Sequence, residues 1–312
     1  MRKVDLGKSG LIASEVALGC MRMSDLSVSD AATVISTVMD QGVNFFDHAD
    51  IYGDGLSEEI FAKAVGQTGI VRDKMILQTK CAIDKGADKK GAVAFNFSKD
   101  YVLWSVEESL KRLNTDYIDL LALHRPDILM DPVEVAETFD LLHKQGKVRY
   151  FGVSNQTPGQ MALLSKYVGH KLIVNQLQLS LLHTGMIDAE LNTNMTNDAS
   201  VDHDRGVLTY CRLHDVSIQA WTPFRASISG AIFLDNPDFA QLNEVLQRVT
   251  DAHGVSKDAI AAAWILRIPG GHQVIAGSMN PARLQKIIQA GSVTLTHQEW
   301  YDLYRAAGNV LP

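Results

Sequence analysis

Four ionisable side chains lie close together in one stretch of the sequence, VNFFDHADIYG, which runs from Val43 to Gly53. The stretch begins with β-prone apolar residues and then presents Asp47, His48, Asp50 and Tyr52 in quick succession. Carboxylates, an imidazole and a phenol are groups with which proteins give and take protons. Their position at the end of a strand that looks buried indicates a reactive site, which other elements of the chain must complete.

Short β-prone segments recur along the chain and alternate with amphipathic, helix-prone segments. The eight predicted strands are EVALG, VNFF, MILQT, IDLLAL, VRYFGV, LIVNQL, VSIQAW and HQVIAG. The clearest predicted helices are Asp30–Gln41, Lys99–Leu113, Pro132–Gln145 and Pro281–Gln289. Two of these begin with proline, which suits the first helical turn because its missing N–H has no partner there.

Eight strands that alternate with helices predict an α/β fold, a (β/α)8 TIM barrel in one domain that spans residues 1–312. We expect a short N-terminal β-hairpin before it. Most of the strands are continuously apolar, as expected when both faces are buried. A doubly wound parallel sheet is the alternative, but the turn after the first strand, LGCMRMSD, lacks the glycine-rich dinucleotide fingerprint.

The composition narrows the class of protein. The net charge is −7 and basic residues do not cluster, which argues against nucleic acid as a partner. No apolar run reaches the length of a membrane span, and MRKVDLGKSG lacks the apolar core of a signal peptide. The widely spaced Cys20, Cys81 and Cys211 indicate a reducing compartment rather than a disulfide framework. We therefore expect a cytoplasmic protein, whose oligomeric state the sequence leaves open.

Polar or aromatic side chains stand at the carboxyl end of most of the predicted strands. In a barrel, these ends meet at one mouth, where the connecting loops build the active site. We therefore expect the side chains to converge. Besides the residues of the second strand, they are Lys80, His124, Ser154, Asn155, Gln176 and Trp221, and the eighth strand leads into AGSMNPAR.

The motifs that carry these residues resemble those of the aldo/keto reductases, and within that family the bacterial branch of predicted oxidoreductases. FFDHADIYG, LLALHRPD, GKVRYFGVSN and VNQLQLS match in order and spacing, and the likeness covers nearly the whole chain. The resemblance implies a barrel enzyme that reduces carbonyl compounds with a nicotinamide cofactor and without a metal. It also implies a catalytic tetrad of Asp47, Tyr52, Lys80 and His124.

The residue types of this tetrad suit carbonyl reduction, which needs a hydride at carbon and a proton at oxygen. A phenol has an unperturbed pKa of ~10. We expect the ammonium group of Lys80 to lower the pKa of Tyr52, and Asp47 to neutralise Lys80. His124 is expected to hydrogen-bond the substrate oxygen.

His48 and Asp50 are interpreted as structural. His48 alternates with Asp47 along the strand and therefore points away from the mouth. Asp50 is expected to shape the turn that presents Tyr52, because aspartate readily hydrogen-bonds nearby backbone. No HExxH or CxxC motif and no cysteine–histidine cluster indicates a metal site.

The resemblance implies NADPH as the cofactor. Serine, amide and aromatic side chains would hold its nicotinamide, and basic residues its phosphates. The family usually has a lysine where this sequence has glycine at the 2′-phosphate, so we expect NADPH to be preferred moderately, with NADH accepted at lower affinity. The implied residues are Ser154, Asn155 and Gln176 at the carboxamide, Trp221 at the ring, Phe224 and Arg225 at the pyrophosphate, and Gly277, Ser278 and Arg283 at the 2′-phosphate.

A small-molecule carbonyl compound is the expected substrate. Met21 and Phe97 are candidate apolar pocket walls, with a core role for either equally compatible with the sequence. Two other functions fit the same scaffold. One is a nicotinamide-binding redox-sensing or regulatory subunit with little turnover, and the other is a lyase or isomerase that binds no nicotinamide.

Overall fold

Eight parallel strands close into a barrel in the computed structural model, which describes residues 1–86 and 93–312. Each strand pairs with its neighbours along the chain, and the last pairs with the first, which confirms the predicted barrel. The barrel strands are β1 Val16–Gly19, β2 Phe45–Asp47, β3 Ile76–Cys81, β4 Ile118–Leu123, β5 Val148–Ser154, β6 Leu172–Gln178, β7 Ser217–Trp221 and β8 Gln273–Ala276.

The predicted N-terminal hairpin is present and closes the bottom of the barrel. Its antiparallel strands are Lys3–Asp5 and Ile12–Ser14. Leu6, between them, packs in an apolar cluster with Phe45 and Leu120 from the barrel interior. A second short antiparallel pair, Ile83–Asp84 with Ala94–Phe95, follows β3.

Helices surround the barrel. The predicted helices are present, with ends that differ by no more than two residues; the first begins earlier than expected because Ser27 caps it and accepts from the Asp30 N–H. The helices are α1 Val28–Asp40, α2 Leu56–Thr68, α3 Lys99–Leu113, α4 Pro132–Lys144, α5 Pro158–Tyr167, α6 Gly185–Leu191, α7 Val207–Leu213, α8 Ala240–His253, α9 Lys257–Leu266, α10 Pro281–Ile288 and α11 His297–Ala306.

Strand alternation decides which side chains reach the barrel interior. On β3, Ile76 belongs to the interior apolar cluster, and Gln78 and Lys80 hydrogen-bond inside the barrel. Leu77 and Thr79 face outward, where the Thr79 hydroxyl donates to a carboxylate of α2. The same alternation places Asp47 inside and His48 outside.

Candidate active site

A cavity of about 500 Å3 opens at the carboxyl ends of the barrel strands. All but two of the predicted site residues line it, although they come from nearly every strand. The two exceptions are a lysine beneath the cavity floor and a phenylalanine in the core. The predicted residues in its walls are Met21, Asp47, Tyr52, His124, Ser154, Asn155, Gln176, Trp221, Phe224, Arg225, Gly277, Ser278 and Arg283.

The two candidate apolar walls have different surroundings. Met21 is 46% exposed and lines the cavity. Phe97 is only 2% exposed and belongs to the apolar core, while its backbone N–H donates to Asp127. The structure therefore does not support Phe97 as a pocket wall, because its ring packs in the apolar core just before α3.

Lys80 lies under the cavity in a buried ion pair. Its Nζ is 2.5 Å from Oδ1 of Asp47 and also donates to the backbone carbonyl of His48 at 2.8 Å. Burial alone would lower the pKa of Lys80, but the charge of Asp47 and the contact with Tyr52 outweigh it, so the pKa is raised. The ammonium group is therefore charged throughout the neutral range.

Tyr52 stands over this pair, with its ring centroid 5.0 Å from the Lys80 Nζ. Burial raises the pKa of Tyr52 above its usual value, and Lys80 opposes that rise without cancelling it. Lys80 thus acts on Tyr52 in the expected direction, but the pKa is not lowered overall, because burial of the phenolate costs more than one ammonium group offsets. The phenol therefore stays protonated at neutral pH.

His124 completes the group around the mouth. Its ring meets that of Tyr52 edge to face, with centroids 6.1 Å apart. Burial, followed by the charges of Lys80 and Arg125, holds the pKa of His124 well below 6.5. The imidazole is thus neutral at neutral pH and has one N–H with which to bind an oxygen.

The segment that carries Tyr52 is anchored to α3. The Asp50 N–H donates to the Lys80 carbonyl at 3.0 Å, and the Asp50 carboxylate accepts from the Ser105 hydroxyl at 2.7 Å. Gly53 follows with φ 56°, and a Cβ there would come within 2.7 Å of Ser24. These constraints agree with the structural role expected for Asp50.

His48 faces away from the cavity. Its side chain is fully buried and meets the ring of Phe61 edge to face at 4.5 Å. Neither ring nitrogen has a hydrogen-bond partner within the described parts of the chain. Burial, aided by the charge of Lys80, lowers the pKa of His48 to about 3. This neutral, packed imidazole has the surroundings of a structural residue.

Amide side chains inside the barrel hold Asp47 and were not singled out from the sequence, apart from Gln176. Asp47 Oδ1 accepts from Gln78 Nε2 at 2.5 Å and from Gln176 Nε2 at 3.1 Å. Gln176 also donates to Gln219 at 3.3 Å, and Gln219 donates to Gln273 at 2.8 Å. The signal available in the sequence was a glutamine at an inward position of four strands, namely β3, β6, β7 and β8.

This amide chain has a defined direction. It ends at the barrel bottom, where Gln273 Nε2 donates to the backbone carbonyl of Ser14 at 2.7 Å. Both ends of the chain, that carbonyl and the Asp47 carboxylate, can only accept hydrogen bonds. Gln176 therefore uses its amide nitrogen for both Asp47 and Gln219, which leaves its carbonyl oxygen free to accept from a ligand in the cavity.

The other predicted nicotinamide residues form one network beside Gln176. Ser154 Oγ donates to the Gln176 backbone carbonyl at 2.9 Å and accepts from Asn155 Nδ2 at 2.7 Å. The side-chain oxygen of Asn155, Oδ1, accepts a hydrogen bond from Trp221 Nε1 at 3.3 Å. Amide and hydroxyl groups therefore lie next to an aromatic wall, a donor set that fits a carboxamide on a flat ring.

Basic residues also line the cavity. Arg283 pairs with Asp258 at 2.8 Å, and its guanidinium lies 5.4 Å from the ring centroid of Phe224. Arg225 donates to the backbone carbonyl of Gly230 at 2.6 Å. These side chains are fixed, and each guanidinium keeps further N–H donors for phosphate oxygens.

Arg22 is a basic residue that sequence reasoning missed. It follows β1, lines the cavity and donates to the Gly277 carbonyl at 2.8 Å. A guanidinium thus stands beside the position where the resemblance leads one to expect lysine. The two residues are far apart in the chain, so no local sequence signal pointed to the contact.

Within residues 1–86 and 93–312, no group of three or more histidine, cysteine, aspartate or glutamate side chains could hold a metal ion. The three cysteines are buried and unpaired with one another. In the same described ranges, no helix combines the length and the apolar character needed to cross a membrane.

Comparisons with known proteins agree with this geometry. The family model described as "Aldo/keto reductase family" matches residues 15–307. The chain is 35% identical over 314 residues to the oxidoreductase YcsN of Bacillus subtilis, and the alignment covers 98% of each protein. It is 34% identical over 319 residues to the 6-dehydroglucose reductase of Novosphingobium aromaticivorans, with 98% of this chain and 96% of that protein covered.

Among solved structures, an aldo-keto reductase from Klebsiella pneumoniae in complex with NADPH has the same fold. The TM-score is 0.76 at 21% identity, with 100% of this chain and 96% of that chain covered. Family members are oxidoreductases that act on carbonyl compounds. The match over nearly the whole sequence places the chain in this class: it belongs to the aldo/keto reductase family.

Proposed function

We propose that this protein reduces aldehydes or ketones to alcohols, with NADPH as hydride donor and Tyr52 as proton donor. The observation that carries the proposal is the arrangement at the barrel mouth. A protonated phenol stands over the Lys80–Asp47 ion pair and beside the neutral imidazole of His124. All the groups needed to protonate a carbonyl oxygen therefore adjoin one cavity.

The residues in the walls fit a nicotinamide dinucleotide. Gln176 keeps a free amide oxygen, and Ser154 and Asn155 add polar groups beside it. Trp221 supplies a flat wall, and Arg283 and its basic neighbours suit phosphate groups. Bound NADPH would supply the hydride that the carbonyl carbon receives.

The protein's own groups act on the carbonyl oxygen. The neutral imidazole of His124 donates a hydrogen bond to it and fixes its position. Tyr52 Oη then gives up its proton, and the ammonium group of Lys80 compensates the negative charge left on the phenolate. Asp47, held by two glutamines, keeps Lys80 charged and in place.

Preference for NADPH over NADH is also proposed. Ser278 and Arg283 occupy the positions implied for 2′-phosphate recognition, and both line the cavity. The lysine that the family usually has is replaced by Gly277, but the guanidinium of Arg22 lies against that residue. We expect this charge to offset part of the loss, so NADPH should bind more tightly than NADH.

The direct test is to measure oxidation of NADPH by the wild-type protein with a panel of aldehydes and ketones, and to measure NADPH binding separately by quenching of tryptophan fluorescence. Binding together with turnover supports the proposal. Tight binding without turnover of any carbonyl would indicate a regulatory nicotinamide-binding subunit instead. Failure to bind NADPH or NADH would leave a lyase or isomerase as the better explanation.

A further inference from the structure

One guanidinium at the barrel mouth has no role in the scheme above. Arg125 directly follows His124 at the end of β4 and lines the cavity in a partly buried position. Its side chain forms no hydrogen bond or ion pair with any residue in 1–86 or 93–312. An arginine charge that has lost part of its hydration without gaining a partner is unfavourable, and a bound anion would stabilise it.

The other cationic side chains of this mouth are engaged. Lys80 and Arg283 form ion pairs with carboxylates, while Arg22 and Arg225 donate to backbone carbonyls. Three of these four also belong to the part of the cavity assigned to phosphates. Arg125 is therefore the cation that remains available to the substrate among the described lining residues.

Arg125 lies where two cavities meet. A side cavity of about 350 Å3 shares Arg125, Asn155 and Trp221 with the main one. The carboxylate in the described lining of the side cavity, Asp204, forms no ion pair with Arg125 and so does not neutralise the guanidinium. A substrate could thus place its carbonyl at the catalytic group while a second part of it extends past Arg125.

The position also relates Arg125 to the reacting groups. Arg125 directly follows His124 in the chain and lines the same cavity as His124 and Tyr52. Its five N–H donors form a planar fork that matches the two oxygens of a carboxylate.

We propose that Arg125 binds an anionic group of the substrate, and that the preferred substrates are aldehydes or ketones that carry a carboxylate. This substrate class rests on the carbonyl reduction proposed above. Arg125 would contribute to substrate affinity and orientation, while proton transfer remains with Tyr52.

Two matched pairs of substrates test the proposal, namely para-carboxybenzaldehyde with its methyl ester and succinic semialdehyde with its methyl ester. The wild type should have a kcat/KM about ten- to a hundredfold higher for each acid than for its ester, mainly through a lower KM. This factor corresponds to the free energy of one hydrogen bond between charged groups. Arg125→Gln should abolish the preference, because kcat/KM should fall about ten- to a hundredfold more for each acid than for its ester.

Arg125→Lys keeps the charge but loses the fork, and should retain part of the preference; it also serves as the test if the glutamine variant does not fold. Arg212→Gln removes an exposed arginine outside both cavities and should leave the preference unchanged. Equal reduction of acid and ester by the wild type, or an unchanged preference in both Arg125 variants, would contradict the inference. A preference for glyceraldehyde phosphate over glyceraldehyde without one for the carboxylates would contradict the carboxylate class. If the wild type reduces none of these aldehydes, the proposed carbonyl reduction itself fails.

Discussion

Two opposing effects set the state of the Tyr52 phenol. Burial raises its pKa, and the Lys80 ammonium, 5.0 Å from the ring centroid, limits that rise. A phenol that is protonated at rest and stabilised as it loses its proton is suited to act as an acid in reduction. The ion pair with Asp47 matters because it keeps the charge of Lys80 where the phenolate would form.

Replacement of Tyr52 tests the role of the phenol directly. Tyr52→Phe removes the proton donor while keeping the ring, so kcat/KM for a carbonyl substrate should fall by at least ~10²-fold, the lower limit for a positioned acid. NADPH affinity, measured by fluorescence quenching, should change little. Tyr301→Phe, which lies outside the active-site cavity, is the matched control. Near-normal turnover in the Tyr52 variant would exclude this residue as the donor.

Replacement of Lys80 tests the role of the charge under the phenol. Lys80→Met removes the group that limits the pKa of Tyr52, so alcohol oxidation should rise at higher pH than in the wild type. Because a lone buried Asp47 would destabilise the fold by about 3–5 kcal/mol, the double variant Lys80→Met/Asp47→Asn should be measured alongside. Lys144→Met, on the exposed side of α4, is the control. Unchanged pH profiles in both Lys80 variants would refute the coupling.

Among the elements, the segment from β2 to α2 is fixed from two sides. The Asp50 N–H bonds the Lys80 carbonyl on β3, and the Asp50 carboxylate bonds Ser105 on α3. At the start of α2, the buried Glu58 accepts from Arg112 of α3 at 2.8 Å. The loop that carries the proposed proton donor is thus tied both to the barrel and to α3, which suits a reaction that requires accurate placement.

The same segment should impose a pH dependence on stability. Burial, only partly opposed by the Ser105 hydrogen bond, raises the pKa of Asp50 to about 7. From about pH 4 to pH 7 the native carboxyl therefore keeps a proton that the unfolded chain has lost, so the free energy of unfolding falls as pH rises. Asp50→Asn, which is neutral at every pH, should gain stability relative to the wild type across that window, by up to about 4 kcal/mol.

Urea unfolding at about pH 5 and about pH 8 measures this difference. Asp40→Asn, an exposed aspartate on α1, should show no comparable change between the two conditions. A difference between Asp50→Asn and the wild type that stays constant with pH would mean that Asp50 titrates like an exposed carboxyl.

The closed barrel brings residues of distant segments to one cavity. The cofactor proposed for it would contact segments after β5, β6, β7 and β8, so its binding should stabilise the complete fold. At about a hundred times its Kd, NADPH should raise the free energy of unfolding by ~2.7 kcal/mol.

Arg283→Ala should weaken NADPH binding by about 1.5–3 kcal/mol, the contribution of one hydrogen bond to a charged group. At the same NADPH concentration it should therefore remove from about half to most of this stabilisation. Stabilisation by NADH should hardly change, since NADH lacks the 2′-phosphate. Arg248→Ala removes an exposed arginine from α8 and controls for lost surface charge. Equal losses for the two coenzymes would show that Arg283 does not read the phosphate, and stronger stabilisation by NADH in the wild type would overturn the cofactor proposal.

Much of the fold, and the residue types of the site, followed from local patterns in the sequence. Apolar runs bounded by turns identified all eight strands, and Lys99–Leu113 was predicted with the observed bounds. Motifs such as FFDHADIYG led to Asp47 and Tyr52, which do lie at the cavity. For Phe97 the sequence left a pocket wall and a core role equally open, because apolar character is the same in both, and the structure places it in the core.

The local sequence sets which side chains each strand presents, because alternation and turn chemistry depend on near neighbours. The partners of those side chains depend instead on how distant segments pack together. Gln176 reaches Asp47 across 129 positions of sequence, and Arg22 reaches Gly277 across 255. The raised pKa of Tyr52 depends on how completely the closed barrel removes water. The lack of a partner for Arg125 among the described residues likewise depends on which charges the barrel brings near. These are properties of distances between segments, and barrel closure sets those distances.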